Sequence, residues 1–162
     1  MTPPSPAAAY LVRHAKAGDR RTWDGPDAAR PLSRRGQRQA EALADALGTF
    51  PIRRILSSPA VRCAATVEPL AARLGLAVEP DPRLAEATGR AGALAVLDEN
   101  RDGGVVLCSH ADVLGALLSR LVSHLAGRGV ALDDTRLAKA STWVLELADG
   151  AVRAARYLPA PR

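Results

Sequence analysis

At 162 residues with a formal net charge of +5 and a pI near 10.0, the chain is long enough for one substantial core. It holds no apolar run long enough to span a membrane. Its 48% hydrophobic and 24% charged residues are ordinary for a soluble globular protein, while an aromatic content of 3% gives few stacking platforms for a single-strand nucleic-acid binder.

The expectation is one domain over 1–162, in the cytoplasm, with a loose Pro-rich start over 1–6. That start lacks the basic-then-apolar layout of a signal peptide. The basic excess is almost entirely arginine, with Lys16 and Lys139 as the lysines. Such a balance suits anionic partners, against the plainer reading of a solvated arginine surface. The partner expected is a phosphorylated substrate, with no nucleic acid and no membrane. No motif encodes an oligomeric state. Cys63 and Cys108 lie in apolar surroundings and read as buried free thiols, with a disulfide as the alternative.

The apolar run Ala8–Val12 reads as a buried strand that stops at Arg13-His14. In open α/β sheets ligands bind beyond the carboxyl ends of such strands, which puts this pair where chemistry is expected. Residues 16–32 have no period and form a long, and therefore functional, connection. Ser33 reads as an N-cap for a helix over 33–48, with Gln37, Ala40, Leu43, Ala44 and Leu47 at helical spacing and Gly48 as the stop. A second strand over Ile52–Ser57 leads to Ser58-Pro59, read as cap and first residue of a helix. That helix carries Arg62 and Thr66, is expected to bend or lose a hydrogen bond at Pro69, and ends at Gly75.

Leu76–Val78 reads as a short strand before the turn Pro80-Asp81-Pro82, and Leu94, Val96 and Leu97 mark a helix after a hinge near Gly89. The clearest strand, Val105–Cys108, ends in Ser109-His110, again a histidine at a carboxyl end. A helix over 112–125 follows, with Leu114, Leu117, Leu118, Leu121 and Val122 on its buried stripe. Asp149-Gly150 joins strands Thr142–Leu147 and Ala151–Tyr157 as a hairpin. The fold expected is a three-layer α/β/α sandwich with a mostly parallel central sheet and this hairpin at or near its edge.

Three strand ends thus deliver Arg13-His14, the Arg62 helix and His110. Two histidines with two arginines suit a phosphoryl site. Neutral imidazole is a nucleophile near pH 7, and guanidinium forks bind phosphate oxygens bidentately. The helix after Ser58 would add backbone donors. Metal-ligand spacing is absent, and neither a metal nor a cofactor is expected. His124, with no polar company, reads as structural. From residues alone, a phosphate site and ordinary core or surface placement remain about equally good readings.

Leu11-Val12-Arg13-His14-Ala15 resembles the signature of the histidine phosphatase superfamily, which includes phosphoglycerate mutases and phosphohistidine phosphatases. Arg30-Pro31-Leu32-Ser33 with Gly36 and Gln39-Ala40, then Ser57-Ser58-Pro59 with Arg62 and Thr66, then Ser109-His110, resemble its further blocks in order. The likeness is strongest to the small phosphohistidine-phosphatase branch. It extends to the phosphatase-like half of two-domain Nudix hydrolases through Ala17-Gly18, Trp23, Gly25 and the Trp143 strand.

The resemblance implies a metal-independent phosphatase in which His14 becomes phosphohistidine. Arg13, Arg62 and His110 would hold the phosphoryl group, and Glu86 would be the acid for the leaving group, with a plain surface glutamate as the alternative. The substrate-binding set is Arg13, Arg62, His110, Ala111 and Trp23. Trp23 is either a stacking platform for a base or loop packing. Ala15 stands where many relatives have Gly and would be strained if that position required positive φ. The short segment from Glu86 to Gly103 leaves little room for a mutase's cap. A phosphohistidine protein is the first-choice substrate, a nucleoside di- or triphosphate the second. A phosphate-binding module without turnover is the competing class.

Overall fold

Alternation along the first strand decides the architecture. The computed structural model describes residues 6–126 and 136–162, so the expected loose start lies outside the described residues except for Pro6. In β1 (Ala7–Arg13), Ala9 and Leu11 join one core cluster while Ala8, Tyr10 and Val12 join another. A strand apolar on both faces needs cover on both sides. Helices α1 (Arg34–Leu47) and α2 (Val61–Leu74) cover one face with Leu43, Leu47, Val67 and Leu70. Helices α3 (Gly89–Asp98) and α4 (Ala111–Ala126) cover the other with Val96, Leu97, Leu114 and Leu117. The result is the expected α/β/α sandwich.

Six strands form one sheet in the order β3-β2-β4-β1-β5-β6, where β2 is Arg54–Ser57, β3 Val78–Pro80, β4 Val105–Ser109, β5 Thr142–Ala148 and β6 Ala151–Leu158. The first four are parallel, β5 pairs antiparallel with β1, and β6 pairs antiparallel with β5. After β3 the chain turns back and inserts β4 between β2 and β1, which makes the two histidine-bearing strands neighbours. The hairpin closes on Asp149 (φ 53°) and Gly150 (φ 74°), both left-handed as a type I′ turn requires. It places β6 at the sheet edge.

Several boundaries differ from the sequence reading. Helix α2 begins at Val61, capped through the Ala60 backbone, and Ser58 is not its cap. The Ser58 hydroxyl is instead paired with His110, and Pro59 stays outside the helix. The second strand starts at Arg54 rather than Ile52, because the Arg53 and Arg54 N–H groups both turn to the Gly104 carbonyl. The third strand sits two residues later than expected and includes Pro80, tolerated because this is an edge strand. Pro69 is accommodated within α2 without ending it. On α4, Val122 is only half-buried, and Val113 and Leu125 complete the stripe.

Candidate active site

Register brings the site together. Arg13 pairs with Ser109 across β1 and β4, and Ser57 pairs with Cys108 across β2 and β4. The three strands therefore end level, and the next residues, His14, Ser58 and His110, fall side by side. Both ladders continue one step further, as the His14 N–H donates to the Ser109 carbonyl (3.1 Å) and the Ser58 N–H to the Cys108 carbonyl (2.9 Å). The imidazole centroids of His14 and His110 lie 5.4 Å apart, edge to face.

The two imidazoles are held differently. His14 is 8% exposed, and its Nδ1 lies 2.8 Å from the Ala15 carbonyl. A carbonyl only accepts, so Nδ1 carries the hydrogen and Nε2 keeps a free lone pair. Burial pushes this imidazole down from 6.5 to about 4. The Ala15 bond opposes the fall, while His110, Arg62 and Arg13 add to it. His14 is thus a neutral base at physiological pH. His110, also buried, places Nε2 2.9 Å from the Ser58 hydroxyl and 3.5 Å from Cys63 Sγ, while its buried Nδ1 has no partner among the described residues. The Ser58 oxygen accepts the Ala60 N–H and keeps its own proton to give Nε2, which leaves Nδ1–H as a donor.

Arg62 is 1% exposed, yet its guanidinium donates to three groups: the Asp27 carbonyl (2.8 Å), the Asp27 carboxylate (3.1 Å) and Glu86 (3.0 Å). Arg13 gives one N–H to the Leu137 carbonyl. The Nε of each of these arginines is buried with no partner among the described residues. Thr66 ties the parts: its hydroxyl donates to the Arg62 carbonyl (2.7 Å) and accepts the Ala15 N–H (2.8 Å). Ala15 is not among the positive-φ residues, so the expected strain does not arise. Gly36 lets α1 press against the turn after His14, because a Cβ there would collide with the Lys16 carbonyl.

These groups line a cavity of about 320 Å³ with Arg13, His14, Arg62, His110, Glu86 and Ala111 on its walls. The helix start that meets it is that of α4, at Ala111, rather than the one after Ser58. The first-turn N–H groups of α4 have no partner within the helix and add a positive dipole end. Glu86 reaches in from an exposed connection whose neighbour Ala87 is left-handed (φ 67°) and donates its N–H to Asp112 at 2.8 Å. Its side chain is 47% exposed and paired with Arg62.

Trp23 does not touch this cavity. It lines an adjoining open cleft of about 410 Å³ that shares Arg20 and Glu86 with the first. Its Nε1–H donates to the Pro26 carbonyl, and Gly25 packs on its ring. The ring is 37% exposed, so loop packing fixes it and leaves part of its surface to solvent.

Sequence reasoning missed Asp27, Arg20, Lys139 and the site role of Arg30. Arg30 is buried, donates to Asp27 and to the Gly18 carbonyl, and lines the cavity with Arg20 and Lys139. Loss of solvation pulls the Asp27 carboxyl upward, but the Arg30 hydrogen bond and the charges of Arg62, Arg30 and Arg20 outweigh it and hold the group below its ordinary value. Among the described residues no group of three or more His, Cys, Asp or Glu side chains is placed to hold a metal, and no helix is long and apolar enough to cross a membrane. Cys63 and Cys108 are free thiols.

Residues 9–94 match the model of the histidine phosphatase superfamily (branch 1). The chain is 36% identical over 156 residues to the 8-oxo-(d)GTP phosphatase of Mycolicibacterium smegmatis, across 93% of this chain and 48% of that protein. It therefore spans about half the length of that relative. The SixA structure from Agrobacterium tumefaciens, assigned as a phosphohistidine phosphatase, is 26% identical with a TM-score of 0.68, over 94% of this chain and 96% of that one. The protein histidine phosphatase SixA in complex with tungstate shares the fold at a TM-score of 0.71 and 23% identity, over 93% and 94%. The chain belongs to the histidine phosphatase superfamily.

Proposed function

We propose that the chain hydrolyses phosphate monoesters, phosphoanhydrides or phosphoramidates through a covalent phosphohistidine on His14. The observation that carries this reading is the neutral His14 with Nε2 free, set among Arg13, Arg62 and His110. In the first step the Nε2 lone pair attacks phosphorus, and the bond from phosphorus to the leaving group breaks with its electrons going to that group. The Ala15 carbonyl then supports the positive charge on the phosphorylated ring through Nδ1–H. The arginine forks, His110 Nδ1–H and the start of α4 meet the charge spread over the three equatorial oxygens.

In the second step water attacks phosphorus, the N–P bond breaks, and its electron pair returns to Nε2. Glu86, a carboxylate while paired with Arg62, is placed to take the proton that water loses, and to pass one to a poor leaving group on the next turnover. A site walled by guanidinium groups would repel a cation, which supports a reaction run by these side chains without a metal.

For the substrate, the cleft beside the cavity favours a nucleotide, because Trp23 offers a partly exposed ring where a base would lie. The M. smegmatis relative is named for a (d)GTP derivative, which points the same way. A phosphohistidine carried on a protein is the second reading, favoured by the short segment between Glu86 and β4, which leaves the cavity open, and by the likeness to SixA. Phosphate release without added metal from a nucleoside diphosphate and from a phosphohistidine carrier protein, with His14→Ala as blank, separates the two. Faster release from the diphosphate is expected. Preference for the carrier protein would reverse the order, and no difference from His14→Ala on either would overturn phosphatase activity.

A further inference from the structure

The chain has 22 basic residues, and both of its lysines line one cavity. Lys16 and Lys139 face it together with Arg20, Arg30, Ser33 and one carboxylate, Asp19, which is paired with Arg21, in a volume of about 650 Å³. It adjoins the His14 cavity, since Ala17, Arg20, Arg30 and Lys139 form walls of both. Among the described residues neither lysine ammonium has an ion-pair or hydrogen-bond partner, whereas Arg30 and Arg20 reach Asp27. Burial and the neighbouring Arg13, Lys16, Arg30 and Arg20 hold Lys139 below its ordinary value.

The transferred phosphoryl group does not require these cations. Arg13, Arg62, His110 and the start of α4 already surround the space beside His14. The lysines lie to one side, one on the turn after β1 and the other just before β5. Like charges gathered in a concave space repel one another, and a second anion would relieve that repulsion. Lysine is the suitable residue, a point charge with three rotatable donors that binds phosphate without a fixed fork geometry.

We propose that the Lys16–Lys139 cavity is a second phosphate subsite, which holds the non-transferred phosphate of a phosphoanhydride while the terminal phosphate meets His14. The inference rests on the phosphoryl-transfer reading above and narrows its substrate to nucleoside di- or triphosphates and related anhydrides. Two phosphates joined by one oxygen suit two cavities that share walls, and a concave lobe suits a small anion better than a protein surface. When the bond between phosphorus and the bridging oxygen breaks, that oxygen and its electrons stay with the penultimate phosphate. The lysines then balance the charge that develops there, and acid help from Glu86 matters less than for an alkoxide.

Binding of inorganic pyrophosphate and of orthophosphate to His14→Ala, measured by calorimetry, tests the subsite without relying on turnover. Pyrophosphate should bind about tenfold more tightly, and Lys16→Gln with Lys139→Gln in the same background should remove that advantage. Equal affinity for the two anions, or an advantage that survives both substitutions, would overturn the subsite even in an active phosphatase. In the active enzyme Lys16→Gln alone, which lies outside the His14 cavity, should raise KM for a nucleoside diphosphate several-fold, up to about tenfold, and leave p-nitrophenyl phosphate hydrolysis within about twofold. A loss confined to a phosphohistidine carrier protein would overturn it in favour of a basic docking face for an acidic carrier.

Discussion

Arg13, His14, Arg62 and His110 sit at strand ends and helix starts, and three of the four are at most 8% exposed. Glu86 and Lys139 reach the same cavity from connections, Trp23 lines the cleft beside it, and all three are exposed. The first group is fixed by ladders that continue past the strands and by Thr66, which bonds two of its segments at once. The second is held by a few bonds, such as Trp23 to Asp19 and Pro26 and Ala87 to Asp112. In the proposed function the groups that attack and hold the phosphoryl group thus rest on the sheet, where small displacements are resisted by packing. Glu86 and the proposed choice among substrates rest on connections, which tolerate change.

That contrast is sharpest at His14, the proposed nucleophile. His14→Ala should lower kcat by about a thousandfold or more on every substrate, because the other unpartnered imidazole nitrogen beside the cavity, His110 Nδ1, carries a hydrogen and has no lone pair to attack with. Steady-state rates on p-nitrophenyl phosphate check this.

The depressed His14 imidazole also ties stability to pH. The folded group titrates at about 4 and the unfolded one near 6.5, so between these values the unfolded chain binds more protons. The contribution is full above 6.5 and lost as pH falls toward 4, to a total of roughly 3 kcal/mol. Urea unfolding at a series of pH values should show this slope in the wild type and not in His14→Asn.

Two substitutions probe each half in turn. Glu86→Gln should slow alkyl phosphates by about 10²-fold and leave substrates with good leaving groups nearly unchanged, a split that rapid-mixing kinetics on paired substrates would show. Equal losses on both would make Glu86 a positioning partner of Arg62 and no proton carrier. Thr66→Val, nearly isosteric, strands the buried Ala15 N–H and should cost about 1–3 kcal/mol of stability, read as a lower urea midpoint. The smallest effect belongs to the connections: Trp23→Ala should raise KM for a nucleotide several-fold, on the order of 1 kcal/mol, and leave p-nitrophenyl phosphate untouched.

The same division governs what could be read from the sequence. Arg13-His14 and His110 were legible because each ends an apolar run, and a strand that stops at polar residues marks its own carboxyl end. The hairpin was legible from Asp149-Gly150, where two left-handed residues admit few alternatives. Ser58 was misread because Ser-Pro before a helical pattern matches a local capping rule, while its partner His110 lies 52 residues away. Pro80 looked like a turn residue because its tolerance depends on the strand lying at the edge. Asp27 and Lys139 sit on stretches without period, so only the folded chain brings them to the cleft. The one sequence signal for Lys139 was its chemistry, a lysine in a chain that otherwise uses arginine.

The central claim is that two displacements occur at phosphorus, with His14 carrying the group between them. The stereochemical course at phosphorus tests this directly, with a monoester made chiral by oxygen isotopes and hydrolysed by the wild-type enzyme in isotopic water. Each in-line displacement inverts the centre, so transfer to His14 and then to water predicts net retention. Net inversion would mean that water attacks the substrate directly, and would contradict a phosphohistidine on His14.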